Sequence, residues 1–237
     1  MSRTVIVGDV HGCRAELEDL LARVALAAGD RLVMVGDLVV RGPEPRKVVT
    51  LLRSLGAQAV RGNHEDRLLR WRQSTSTSRE LHIGALTRRT AEELKTRDWE
   101  YLESLPLWID LPEHAVRVVH AGVVPGLPIE DQEPRTLMYV RTLGHDREPN
   151  EARGARSWAH HYEGPEHVVF GHNALPFPEI ATHATGIDTG AVYGGRLTAM
   201  VLREGEKVPA PDRRRDVLVS VPSRRAYYEK LNAPGRS

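Results

Sequence analysis

Three short β-branched runs in the first sixty residues break off in the same way, at a glycine followed by a carboxylate or an amide. Residues 4–7 run into Gly8-Asp9, residues 31–35 into Gly36-Asp37, and residues 58–61 into Gly62-Asn63. Between the first two lies a stretch of helical spacing, 13–27, with Leu17, Leu20, Leu21 and Val24 on one face. Between the second and third, Pro43 and Pro45 suit a helix start, and Val48, Val49, Leu51, Leu52 and Leu55 carry the helix to Gly56. A β-α-β-α-β order of this kind predicts an α/β fold with a parallel sheet and crossover helices. Open α/β sheets place their sites beyond the carboxyl ends of the strands, where these polar residues fall.

The remaining chain reads differently. Residues 64–104 are polar and helical, with a loop expected at Ser74 to Ser78, and 72–104 is predicted to cap a cleft. From 106 onward short strands alternate with Pro/Gly turns, at 115–119, 167–170, 184–188, 196–202 and 216–221, around a loop-rich segment 121–165. The chain of 237 residues suffices for one large domain, read as 1–210, with 211–237 as a basic surface extension. A formal net charge of +1 gives no global pull toward nucleic acid or membrane, and a lone cysteine forms no internal disulfide. No apolar run reaches the length of a membrane span, and the N-terminal run is too short for a signal peptide, so a cytoplasmic location is expected.

Two later strands also end in metal-competent side chains: 117–119 in His120-Ala121-Gly122, and 168–170 in Gly171-His172. One Gly-Asp after a strand is ordinary turn chemistry. Five strand ends supplying carboxylate, amide or imidazole point instead to metal. Asp9, His11 and Asp37 could hold one ion, and Asp37, Asn63, His120 and His172 a second, with Asp37 bridging. Such donors without thiolate suit manganese, iron or zinc. Two ions roughly 3.5–4 Å apart would ionise a bridging water and clamp a phosphoryl oxygen. His82, His114, His145, His160, His161, His167 and His183 have no ligand spacing and are read mostly as exposed. Cys13, at a helix start, is read as a buried filler. Arg67, Arg70 and Arg72 either reach substrate or form a solvated face. Arg213-Arg214-Arg215 lacks the interleaved aromatics of an RNA site.

Gly8-Asp9-Val10-His11-Gly12, Gly36-Asp37-Leu38-Val39-Val40-Arg41-Gly42 and Gly62-Asn63-His64-Glu65 resemble the signature blocks of the phosphoprotein-phosphatase-type metallophosphoesterases. His120-Ala121-Gly122 and Gly171-His172 match the family's two later metal blocks. The resemblance implies a calcineurin-like fold: a two-layer β-sandwich flanked by helices, with two divalent ions. Manganese is favoured, with iron, zinc, cobalt or magnesium as alternatives. Hydrolysis would proceed by in-line attack of metal-bound hydroxide, without a phosphoenzyme. By the same resemblance His64 protonates the leaving oxygen, Arg41 and Arg141 bind phosphate, and Tyr193 overhangs the site.

One position departs from the protein-phosphatase pattern. Val40 stands where those members carry an Asp that orients the catalytic histidine. Together with Gly42-Pro43, this is similar to bacterial symmetrical diadenosine tetraphosphatases, whose anhydride leaving group needs less acid assistance. The expectation is symmetrical cleavage of diadenosine tetraphosphate to two ADP. The alternative is a Ser/Thr or Tyr phosphoprotein phosphatase, and a third reading is a binding protein without catalysis. Capped RNA or a phosphoprotein are further candidate partners.

Overall fold

The computed structural model describes residues 2–74, 81–154 and 156–229. β1 (Arg3–Val7) and β2 (Arg31–Met34) run parallel, joined by α1 (Arg14–Arg23). α2 (Pro45–Ser54) leads to the short β3 (Gln58–Ala59), parallel to β2. The alternation of each strand decides its two faces. Val5, Val7, Leu32 and Met34 face Leu17, Leu20, Val48 and Leu52 of the helices, whereas Ile6, Val33 and Val35 point the other way.

α3 (Asn63–Ser74) starts directly after β3, and is followed by α4 (Ala85–Glu93) and α5 (Thr96–Glu103). These helices bury Leu68, Ala91, Trp99 and Leu102 in the same cluster as α1 and α2. Asp98, nearly fully buried, pins α5 to α2 through Arg46 and Arg53. α4 and α5 dock their apolar faces on the sheet's helical layer, and the start of α4, Ala85 to Thr87, borders a cavity with His64 and Arg41, within the stretch 72–104 expected to cap a cleft. Residues 75–78 of the expected loop lie outside the described residues, and Ser74 closes α3.

The second sheet begins with β4 (Trp108–Leu111), antiparallel to β5 (Val116–Val119). The segment that follows holds α6 (Pro134–Tyr139) and a two-rung ladder of β6 (Thr142–Leu143) with β7 (Pro149–Asn150). β8 (His167–Phe170), β9 (Glu179–Ile180) and β10 (Ala184–Gly186) complete the order β4-β5-β8-β10-β9, with β5, β8 and β10 parallel. The chain then returns to the first sheet as β11 (Arg196–Arg203) and β12 (Leu218–Pro222), giving β12-β11-β1-β2-β3. Ile6, Val33, Val118, Val169, Met200 and Leu202 interdigitate between the two five-stranded sheets. Leu137, Trp158 and Phe170 form the outer layer of the second sheet. The expected two-layer sandwich with flanking helices is the observed architecture.

Two expectations are corrected. Within the stretch expected as an extension, Leu218 to Pro222 are part of the fold: they pair with β11, from Met200↔Leu218 to Arg196↔Pro222. Arg214 is almost wholly buried, donating to the carbonyls of Pro209 and Thr182 and to Thr185 Oγ1, so the arginine triplet is no continuous basic patch. His114 is also buried, bonded to Thr4 Oγ1 at 2.9 Å and the Glu206 carbonyl at 2.7 Å. Cys13 is fully buried, and burial pushes its thiol pKa upward, as suits a filler.

Candidate metal centre

The parallel strands of both sheets point their carboxyl ends at one place, and each delivers a polar side chain there. Asp9 follows β1, Asp37 follows β2, and Asn63 and His64 open α3 after β3. His120 follows β5 and His172 follows β8. A sixth strand end was missed in the sequence reading: β10 runs through Ile187 into buried Asp188, whose Oδ1 accepts the Gly190 N–H at 3.0 Å. The signal was available, since 184–188 repeats the pattern of an apolar run ending in an acid.

The backbone is strained where it turns into the site. His11 (φ +47°), Asp37 (+49°), Val40 (+67°), Arg41 (+66°) and His172 (+66°) all adopt the left-handed conformation. For L-residues this costs about 1–2 kcal/mol each, and for a β-branched residue such as Val40 it is an outlier. The conformation is held by Glu65, a second residue the sequence reading left without a role. Its fully buried carboxylate accepts the N–H groups of Asp37 and Gly62 at Oε2 (both 2.9 Å) and of Leu38 (2.9 Å) and Val39 (3.3 Å) at Oε1. Close approach fixes two glycines: a Cβ at Gly62 would collide with Asp37 Oδ1, and one at Gly171 with Asp9 Oδ1.

Within this frame the acceptor atoms converge. His11 Nε2 lies 3.5 Å, and His64 Nε2 4.0 Å, from Asp37 Oδ2. On the other side of the same carboxylate, His120 Nε2 lies 3.4 Å from Oδ1. His120 Nε2 and His172 Nδ1 both meet Asn63 Oδ1, at 3.0 and 2.9 Å. Asp37 thus stands between two groups, His11–Asp37–His64 and Asp37–His120–His172, whose ligand atoms are near enough to share an ion. Asp9 sits differently: its carboxylate accepts the His172 N–H at 3.0 and 3.2 Å, and the third side chain beside His11 and Asp37 is His64.

The protonation pattern favours a cation. A carbonyl can only accept, so His120 carries its proton on Nδ1, bonded to the Val35 carbonyl at 2.8 Å, and His11 on Nδ1, bonded to Val39 at 3.2 Å. Each Nε2 therefore presents a lone pair. His120 Nε2 faces Asn63 Oδ1 and Asp37 Oδ1, acceptor against acceptor, a contact that a metal ion between them relieves. His11 Nε2 is met by Arg41 Nη1 at 2.8 Å, so a guanidinium supplies positive charge where a metal ligand atom points. Burial keeps the imidazoles neutral: it lowers His120 to about 4 and holds His11, His64 and His172 well below the usual range. Burial raises the carboxylates too, Asp37 to about 6, and Asp9 further through the neighbouring charges of Asp188 and Asp37. Neutral imidazoles around crowded carboxylates form a donor set that fits divalent metal.

The other expected residues fall around this cluster. His64 Nδ1 is buried without a hydrogen-bond partner, as Val40 in place of Asp implies. The ring is oriented instead by its edge against His11 (4.9 Å, 87°), while the His64 backbone N–H donates to Asp37 Oδ1 at 3.0 Å and fixes the start of α3. Arg41 is packed between Tyr193 (5.5 Å) and Tyr228 (5.6 Å). Tyr228, the third residue the sequence did not reveal, has no local pattern to mark it. Arg141 donates to the Glu151 carbonyl at 2.8 Å and feels the Asp37 charge. Of the three arginines on α3, Arg67 borders the cavity beside His64; Arg70 pairs with Asp66 and Arg72 with Glu103.

Residues 2–206 match the calcineurin-like phosphoesterase family. The chain belongs to that family. Among calcineurin-like phosphoesterases of similar sequence is the bis(5'-nucleosyl)-tetraphosphatase PrpE [asymmetrical] of Oceanobacillus iheyensis, 30% identical over 88% of this chain and 92% of its own length. A crystal structure of a candidate diadenosine tetraphosphatase superposes with a TM-score of 0.80 at 38% identity, over 93% of each chain. A Ser/Thr protein phosphatase of Saccharomyces cerevisiae shares the fold at a TM-score of 0.55 and 15% identity, over 98% of this chain and 81% of its own. The expected symmetrical branch finds no support among these relatives. Among the described residues no helix is long and apolar enough to cross a membrane.

Proposed function

We propose that this phosphoesterase hydrolyses diadenosine tetraphosphate asymmetrically, to AMP and ATP, rather than to the two ADP that the motif resemblance suggested. The observation that carries a phosphoryl-transfer reading is the buried acceptor cluster around Asp37, flanked by the guanidiniums of Arg41 and Arg141. The substrate reading is supported by the names of relatives that align with 87–88% of the chain, asymmetrical bis(5'-nucleosyl)-tetraphosphatases.

Asp37, with Asp9, His11 and Asn63, His120 and His172, would hold two divalent ions, manganese foremost given hard oxygen donors mixed with imidazole. Bound there, such ions lower the pKa of water and polarise a phosphoryl oxygen. The chain's own residues do the rest. Arg41 and Arg141 neutralise the phosphate oxygens, with planar forks that suit them. His64 faces the leaving oxygen but is a weak proton donor, since burial and nearby cations keep it neutral and Nδ1 has no partner to hold it. A phosphate leaving group tolerates a weak acid, whereas a serine alkoxide does not. That difference favours the dinucleotide over a phosphoprotein.

The test is product analysis with purified protein and Mn²⁺. AMP and ATP in equal amounts are expected from diadenosine tetraphosphate. Two ADP would restore symmetrical cleavage, and faster turnover of a phosphopeptide would select the phosphatase reading. A rate no higher than that in EDTA would end the proposal.

A further inference from the structure

The chain returns to the centre long after the metal-site residues have been laid down. After β12, Ser223 bonds the carbonyls of Gly195 (2.9 Å) and Ala191 (2.6 Å). Tyr227 and Tyr228 both donate their N–H to the Val192 carbonyl, at 2.9 and 3.0 Å. Fully buried Glu16 accepts the Arg224 N–H at 3.0 Å and the Tyr227 hydroxyl at 2.9 Å, and Arg224 pairs with Asp19. So many anchors fix the position of Tyr228, whose ring packs against the Arg41 guanidinium and lies 6.1 Å from that of Tyr193.

A cavity of about 350 Å³ opens at this point. His64, Arg41, Arg67, Ala85, Leu86 and Tyr228 are among the residues that line it. Apolar walls, one aromatic face and two guanidiniums beside a phosphoryl-transfer centre suit a flat heteroaromatic ring that carries an anion. Beyond Arg41 and Leu86, which the two spaces share, a second cavity of about 390 Å³ is lined by Arg89, Arg225 and Tyr227. Three guanidiniums there, Arg41 included, match the polyphosphate of the same molecule.

We propose that residues 223–229 build the nucleoside subsite of this centre, with Tyr228 as the surface on which the base stacks. This rests on the dinucleotide reading above and adds to it the residues that recognise the base. Calorimetric titration of the Mn²⁺-loaded enzyme with AMP and with ribose 5-phosphate isolates the contribution of the base. AMP binds about tenfold more tightly, in the range of aromatic–base stacking. Tyr228→Ala removes that preference, and Tyr228→Trp keeps it. Ala85→Phe, at an exposed position that lines the cavity, fills it and removes the preference too, which guards against a Tyr228→Ala chain that does not fold. Equal affinity for the two ligands in the unaltered enzyme, or a full preference surviving both substitutions, overturns the subsite. Hydrolysis of diadenosine tetraphosphate without a base preference would keep the activity and lose the subsite. A base preference lost in both variants, without any such hydrolysis, would do the reverse.

Discussion

Replacing the central carboxylate should stabilise the metal-free protein while disabling the centre. Asp37 is buried, and desolvation pushes its pKa up to about 6 from an ordinary 3.8. A carboxyl whose folded pKa is raised contributes stability that is present below pH 3.8 and is lost as pH rises through 6. A shift of roughly two units corresponds to about 3 kcal/mol. At pH 7.5 the metal-stripped protein therefore bears a buried charge that metal would otherwise neutralise. Asp37→Asn removes the charge but keeps the geometry. The amide oxygen can still accept the His64 backbone N–H. In EDTA at pH 7.5, thermal unfolding of Asp37→Asn should lie about 6–12 °C above that of the unaltered protein. The gap should close at pH 4. With saturating Mn²⁺ the order should invert, because only the unaltered chain gains much from the metal. A metal-free Asp37→Asn protein that melts lower at pH 7.5 would refute the reasoning, since the carboxylate would then be net stabilising without its ion.

Three further outcomes are expected. Asp37→Asn should lower kcat more than His64→Asn at saturating Mn²⁺, since it touches both metal groups; steady-state rates in the reverse order break the bridging assignment. Glu65→Ala leaves four buried N–H groups without their acceptor, and at about 1–3 kcal/mol each it should destabilise by about 4 kcal/mol or more in urea unfolding. A loss below 1 kcal/mol would show that the loop of Asp37 holds itself. Val40→Asp supplies a partner for the unpaired His64 Nδ1 in a residue type that tolerates the left-handed backbone. It should raise kcat on an alkyl phosphomonoester about tenfold, a fraction of the roughly 10²–10⁴-fold of full general acid catalysis because His64 is already present, while changing dinucleotide turnover less than threefold. An unchanged ratio of the two rates would separate His64 from the leaving group.

The strands that carry the centre were legible because they are buried on both faces. Residues such as Val5 to Val7 and Leu32 to Val35 then read as unbroken apolar runs with a polar stop. β4 was not legible: only four residues long, it includes exposed Asp110 and is closed by Pro112. Two-residue strands such as β6 and β7 have no period to detect. The metal-competent side chains could be named because each sits at a strand end, a local property. Glu65 was hidden for the opposite reason, since a glutamate in the first turn of a helix normally faces water. Nothing near residue 228 announces that its ring meets residue 41.

The clasp of Tyr227 on Glu16 joins residues 211 positions apart. Contacts of such sequence separation carry a large closure entropy and form late in folding. The centre of the first sheet closes a span almost as long, Arg3 opposite Arg203, and the His172 N–H reaches Asp9 across 163 positions, so the clasp engages on a frame that already joins both ends of the chain. Arg41 is seated between its two tyrosines only after that closure. Release of the clasp alone would part the Tyr228 ring from Arg41 while Asp9, Asp37, His120 and His172 keep their mutual contacts.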